Sequence, residues 1–324
     1  MEIRTALTGP FPRSEALVAA TRDLDRGRTT PDLVEALYRS SEAEVAELEE
    51  RLGLDVLSGG YLAWPDLFRP FAERWRGFTV GPVTRWFETN TFYRQPILHA
   101  PPERVEGAVV EHLPPSARSA PAKAKVTLPG PYTFVGLLDN RSGETFEGLT
   151  HRLGRLLAEE VRGLHRLGYR TFQFQEPLLV TDPPEGPRGE AVVAAYRAIA
   201  EAAAGSTILL WTFFGDAAPL VPFFDRLPVS AVGVDLAETE PSKLPAPNRL
   251  RGLGLGCLDP RTSLVEDASE VARIARDLRR AWHPSTLWLG PGAPLDLLPT
   301  HVAARKLHLL PAAKALLGAD GEAA

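Results

Sequence analysis

A chain of 324 residues with a net charge of −5, 44% hydrophobic and 24% charged residues has the make-up of a folded globular protein. It is long enough for one barrel domain of about 250 residues with insertions. The acidic balance argues against a nucleic-acid surface, which would need a basic patch. The lone Cys257 excludes an intrachain disulfide and any zinc site built from several thiolates.

Short apolar runs alternate with longer amphipathic ones along the chain. Arg4–Leu7 reads as a first strand. A helical run follows over Ser14–Leu24 with Ser14 as N-cap, and another over Pro31–Leu52 with Thr30 as cap and Pro31 at the first helical position. Asp55–Leu57 is a second strand. An excursion at about 78–124 then breaks the alternation. Its first part, Phe78–Pro96, is extended and aromatic; its second, His99–Ala124, is rich in proline and alanine, with a short helix expected near Pro102–His112. Six more strands are expected, at Lys125–Leu128, Thr171–Phe174, Ile208–Thr212, Ala231–Val234, Leu253–Gly256 and Thr286–Leu289. Helices are expected at Phe146–Leu167, Gly189–Ala204, Val265–Trp282 and Thr300–Leu317, each with apolar spacing near 3.6. Gly318–Ala324 is expected to fray. Eight strands alternating with helices predict an α/β protein, a single (β/α)8 TIM barrel over 1–324. The competitor, an open doubly wound sheet, would want a glycine-rich phosphate loop after the first strand. Thr8-Gly9-Pro10-Phe11-Pro12-Arg13 is not one. No run of about 20 apolar residues is present, so no membrane span is expected. Met1–Arg13 does not read as a signal peptide, and a cytoplasmic location is expected.

In a barrel the loops after the strands share one mouth, so polar residues at strand ends are the candidates for chemistry. Glu176, fixed before Pro177, is a candidate acid/base group with Asp235 or Asp259. Arg13, Asp66, Arg85, Asn90, Tyr93, Gln175 and Arg261 are candidate substrate-binding residues. Thr8, Tyr61, Trp64, Glu88, Phe214, Glu238 and Asp296 stand at the same strand ends. Several carboxylates and three arginines suit an anionic or zwitterionic small molecule. The plainer alternative is that such loop acids and arginines cap helices and pair at the surface. Phe87, Phe92 and Phe214 read as packing. The histidines fall mostly in helices or the excursion, so a metal is not expected.

Several segments resemble the cobalamin-independent methionine synthase family. Thr8-Gly9-Pro10-Phe11-Pro12-Arg13 is similar to its opening strand. Arg85-Trp86-Phe87-Glu88-Thr89-Asn90-Thr91-Phe92-Tyr93 resembles a segment of its N-terminal, zinc-free barrel and is the most specific match. Lys125–Phe134, Gln173–Pro177, Leu210–Asp216, Val234–Leu236 and Leu287–Leu289 follow in the family's order. The resemblance implies a methionine synthase/uroporphyrinogen decarboxylase-like barrel concerned with methyl transfer from methyl-tetrahydrofolate to homocysteine. In the zinc-bearing barrel of the family a histidine and a cysteine end the fifth strand, where this chain has Trp211 and Phe213. A cysteine follows the eighth strand, where it has Ala293. A glutamate after the second strand corresponds to Tyr61, and the usual aspartate before the glutamate and proline is Gln175. The resemblance therefore implies a chain without zinc or another tightly bound cofactor, with methyl-tetrahydrofolate as substrate.

Three readings follow. The chain is a folate-binding component that works with a separate zinc-bearing methionine synthase barrel, with Arg13, Arg85 and Asn90 gripping the folate. Or it is a divergent, zinc-independent enzyme acting on a small anionic substrate through Glu176 with Asp235 or Asp259. Or it is a complete methyltransferase that activates homocysteine without zinc.

Overall fold

The computed structural model describes residues 1–319. Its strands are β1 (Glu2–Thr5), β2 (Arg76–Arg85), β3 (Phe92–Glu103), β4 (Lys125–Pro129), β5 (Asp139–Asn140), β6 (Thr171–Gln175), β7 (Thr207–Trp211), β8 (Ala231–Asp235), β9 (Gly252–Leu258) and β10 (Thr286–Pro291). Seven of them form one parallel sheet in the order β1-β10-β9-β8-β7-β6-β4. β4, β6, β8 and β9 are buried along their whole length. That is what an all-parallel sheet requires, since both of its faces are covered, and why these strands read as continuous apolar runs.

The predicted second strand is reduced to two isolated parallel bridges, Ala6↔Val56 and Leu57↔Ala124. They lie beside the two edge strands: Val56 N–H donates to the Thr5 carbonyl (3.3 Å), and Lys125 N–H to the Leu57 carbonyl (2.8 Å). The sheet is thus curled, with residues 55–57 reaching both edges.

Its concave face is filled by Ala6, Val56, Leu209, Trp211, Ala231 and Trp288. Trp211 sets the spacing there. A Cβ at Gly233 would lie 2.2 Å from its ring, and one at Gly254 2.6 Å. Two neighbouring strands therefore carry glycine so that one indole can lie across them.

Helices cover the outer face. Glu15–Asp25 starts as expected, with Ser14 Oγ accepting from Leu17 N–H (3.2 Å). Pro31–Arg51 also starts at the expected residue, but the Thr30 hydroxyl makes no capping bond. The helix expected from Val265 begins instead at Ala268, because the Asp267 carboxylate accepts from Ser269 N–H (2.7 Å) and fixes the start there. The last expected helix is divided into Thr300–Leu307 and Leu309–Ala319. Gly318 and Ala319, expected to fray, belong to that helix; residues 320–324 lie outside the described residues. No helix of the described residues is long and apolar enough to cross a membrane.

The excursion is built differently from the expected helix near Pro102–His112. β2 and β3 pair antiparallel, and the pairing runs on to Arg76↔Glu103. Strand pairing takes the chain through Glu103, leaving 3-10 turns at Val110–His112 and Pro121–Lys123 and a short helix at Pro115–Ser119. The tip of this hairpin, residues 86–91, reaches the loops that follow the parallel strands, where Phe87 meets Phe214.

Candidate functional site

Two adjoining cavities open where the parallel strands end. The first, about 290 Å³, is bounded by residues 10–13 after β1, 61–67, the hairpin residues Trp86 and Thr91–Tyr93, Gln175, Phe214, and residues 294–298 after β10. Its walls are mostly apolar and include the aromatic side chains of Phe11, Trp64, Trp86, Tyr93 and Phe214. The second, about 620 Å³, is lined by Phe87–Asn90, Thr181, Glu238, Pro260 and Arg261. Phe214 and Leu297 line both. The Phe87 and Phe214 rings meet at a centroid distance of 5.6 Å. Both residues have left-handed backbone, φ 49° and 70°. That conformation favours glycine, so the fold accepts some strain to hold two aromatic rings there.

Four sequence-predicted binding residues come together in the first cavity: Arg13, Asp66, Tyr93 and Gln175. Three of them also hold the walls. Arg13 donates to the Leu62 and Trp64 carbonyls (2.8 Å each) and so fastens the 61–66 turn. Asp66 accepts from Phe68 N–H (3.0 Å), from Arg94 N–H of β3 (3.2 Å) and from Arg69 (3.1 Å). Tyr93 Oη donates to the Leu137 carbonyl (2.9 Å). Gln175 donates its amide N–H to the Thr8 carbonyl (3.2 Å), and its Oε1 receives no hydrogen bond among the described residues.

Asp296, noticed in the sequence only as a strand-end acid, also faces this cavity. No other side chain of the described residues hydrogen-bonds or ion-pairs its carboxylate at contact distance. Enough protein surrounds that carboxyl to push its pKa up to about 6, with Arg13 pulling it down. By surface area Asp296 is nevertheless exposed, and the accessible surface is what a ligand meets. No local pattern could have singled it out, because an acid in the turn after a strand is equally common as a cap.

The remaining candidates are placed elsewhere. Asn90 and Arg261 line the second cavity. Arg85 is exposed at the end of β2 and lines neither. Asp235 and Asp259 line neither cavity but are joined through Arg261, which reaches Asp235 at 3.3 Å, Asp259 at 2.7 Å, and Glu238. Burial raises the Asp235 pKa, and Arg261 opposes the rise. One guanidinium facing three carboxylates leaves this corner negative.

Glu176 is fully buried and lines neither cavity. Its oxygens accept from Tyr132 N–H (3.1 Å), Thr133 N–H (2.8 Å) and Tyr196 Oη (3.2 Å). It therefore caps, from a neighbouring strand, the start of the helix Pro131–Leu137. Gly130 makes room for it, since a Cβ there would lie 2.0 Å from Glu176 Cδ. Burial pushes its carboxyl up to about 7, against the hydrogen bonds that favour the ionised form.

The family model of the cobalamin-independent synthase N-terminal domain matches residues 76–282. The chain belongs to this family.

The match to the cobalamin-independent synthase family opens at β2 and closes with the helix Ala268–Trp282. It includes Tyr93, Gln175 and Phe214 of the first cavity, while residues 10–13, 61–67 and 294–298 lie outside it. Among similar curated proteins are the methionine synthase of Sulfurisphaera tokodaii, 28% identical over 94% of this chain and 89% of that one, and the methionine synthase of Saccharolobus solfataricus, 26% identical over 94% and 91%. A B12-independent methionine synthase from Shewanella sp. W3-18-1, solved in complex with selenomethionine, shares the fold with a TM-score of 0.79 at 15% identity over the whole of both chains. A putative vitamin-B12 independent methionine synthase from Listeria monocytogenes shares it with a TM-score of 0.70 at 17% identity over 96% of each.

The residues that stand where the family's zinc-bearing barrel has its ligands do not fit that ion. Trp211, Phe213 and Ala293 are buried and apolar. The Trp211 indole N–H donates to the Gly292 carbonyl (3.1 Å). Tyr61 Oη donates to the Lys125 carbonyl (2.8 Å) and accepts from Thr127 N–H (2.7 Å). Cys257 is buried against Gly290, and burial pushes its thiol up to about 12. Zinc needs thiolate, imidazole or carboxylate donors, and these positions offer none.

Proposed function

We propose that this methionine synthase-like protein takes part in methyl transfer from methyl-tetrahydrofolate to homocysteine as a zinc-free folate-binding component, the first cavity holding the pteridine ring. The observation that carries this reading is the pairing of aromatic rings with two cavity acceptors that no other side chain of the described residues engages at contact distance, the Asp296 carboxylate and Gln175 Oε1. Both are hydrogen-bond acceptors. A flat pteridine with an amino group and a ring N–H matches them in shape and polarity. In the same reading the curled sheet is a (β/α)8 barrel with residues 55–57 as its second position and the 76–103 hairpin as an insertion over the mouth.

In the transfer, the methyl–nitrogen bond of the folate breaks, a sulfur–carbon bond forms and the folate nitrogen takes up a proton. The attacking sulfur must be a thiolate, and a free thiol has a pKa of about 8.5. The cavity contributes aromatic rings against which the pteridine can lie and acceptors that orient it. The partner this reading calls for is a separate zinc-bearing methionine synthase barrel. Titration of the purified chain with methyl-tetrahydrofolate, with metal content measured on the same sample, is the test. Saturable binding without metal is expected, weakened about tenfold in Asp296→Ala through loss of a hydrogen bond to a charged acceptor. Absence of binding would sink the reading, and about one zinc per chain would sink its zinc-free part.

A second reading, a divergent enzyme using Glu176 with Asp235 or Asp259 on a small anionic substrate, draws support from the Glu176 pKa of about 7, which suits acid/base work near neutrality. It requires Glu176 to leave the Tyr132 and Thr133 amides during turnover. Unchanged turnover in Glu176→Gln would reject it.

A further inference from the structure

Behind the first cavity lies a chain of buried polar groups that the proposed function does not use. Lys125 is buried on the concave face of the sheet, its ammonium donating to the Leu7 carbonyl and to Gln173 Oε1. Burial pulls the Lys125 pKa down to about 7; charged or neutral, it has N–H groups to donate to both oxygens, and the carbonyl end of the Gln173 amide faces it. The other end of that amide then donates to the Thr8 carbonyl. The same carbonyl accepts from Gln175 Nε2 at 3.2 Å. Two consecutive carbonyls, Leu7 and Thr8, are thereby held toward the interior. With both lone pairs of Thr8 engaged by amide N–H groups, Gln175 keeps its NH2 inward and its Oε1 outward. Gly9 leaves room for this amide: a Cβ there would lie 2.5 Å from Gln175 Nε2.

We propose that Gln175 is the specificity-determining residue of the first cavity, presenting a fixed carbonyl oxygen that selects a ring edge bearing N–H donors over one bearing oxygen. Lys125 and Gln173 are the positioning residues that hold it. The inference deepens the folate reading, since it names the edge of the pteridine that Gln175 reads.

The probes are pterin and lumazine, which share ring size and shape but carry an amino group and an oxo group, respectively, at one position. Pterin is expected to bind wild type more tightly. That preference should fall about tenfold in Gln175→Leu, the worth of one hydrogen bond plus the removed mismatch, and should also fall in Lys125→Met. An unchanged preference in Gln175→Leu would overturn the assignment.

A second measurement needs no ligand. The chain has three glutamines, Gln95, Gln173 and Gln175, so selective nitrogen-15 labelling gives three side-chain amide signals. The Gln175 amide protons are expected to exchange slowly in wild type and at least about tenfold faster in Lys125→Met, as a held donor is released. Gln95, which donates to the Leu137 carbonyl at 3.3 Å, should not change. Should Lys125→Met fail to fold, Gln173→Met carries the same expectation. If wild type binds neither ring, the folate reading fails while the exchange rates still decide the positioning. If the Gln175 amide exchanges fast in wild type, or is indifferent to both substitutions, the positioning fails whatever the ligand.

Discussion

Gly233→Ala should destabilise the fold by about 3 kcal/mol, the upper range for forcing a methyl group into a packed core. The added Cβ would lie 2.2 Å from the Trp211 ring. The same ring lies just as tightly over Gly254 of the paired strand, where a Cβ would be 2.6 Å from it, and its indole N–H is held by the Gly292 carbonyl (3.1 Å). Denaturant unfolding of the variant measures the loss. The double variant Gly233→Ala, Trp211→Leu should recover part of it, because the smaller side chain clears the clash. Additive losses in the double variant would show that the two residues do not share one space.

The second large effect is on the pH dependence of stability. The Glu176 carboxyl is raised from 4.5 to about 7 by burial. A raised carboxyl contributes stability that is fully present below its unfolded pKa and is lost as pH climbs through the folded value. The window is therefore about pH 4.5 to 7, and the loss is about 3 kcal/mol at 1.36 kcal/mol per unit. Glu42, raised to about 7 by burial, titrates in the same window. The informative quantity is thus the difference between wild type and Glu176→Gln. Wild type should lose stability from pH 5 to pH 8 relative to the variant, which has no titrating group at position 176 and shares the others, Glu42, Lys125 and Asp296. Parallel curves would mean that the Tyr132 and Thr133 amides and the Tyr196 hydroxyl keep Glu176 ionised throughout.

Glu176 also shows what the sequence could and could not reveal. Its place before Pro177 correctly suggested a fixed carboxylate, but fixed toward a helix start, not toward a cavity. Side chains alternate along a strand, so Gln173 and Gln175 share one face and the next residue turns away. That rule, applied to Gln175-Glu176, would have separated the two. The parallel strands were legible because they are buried on both faces and carry uninterrupted apolar runs. The second strand was legible as a position but is only a pair of bridges in the structure. The 86–93 segment read as extended and aromatic. That its tip would fold over the strand ends depended on pairing between β2 and β3 and on contacts such as Phe87 with Phe214, which are far apart in sequence. The same long-range pairing overrode the expected helix near Pro102–His112. Arg13 and Asp66 were singled out by charge and position, and both line the first cavity. Local sequence could not show that each is largely occupied in holding the cavity wall.

The indole at Trp211 also bears on what this lineage can become. Exchanging it for a metal-binding side chain would empty the space above Gly233 and Gly254 without supplying the neighbouring donors, since Phe213 and Ala293 would remain. The glycines that accommodate one aromatic ring thus tie three positions of the sheet interior to one another, and the strand-end loops are where a side chain can be exchanged at least cost to the fold.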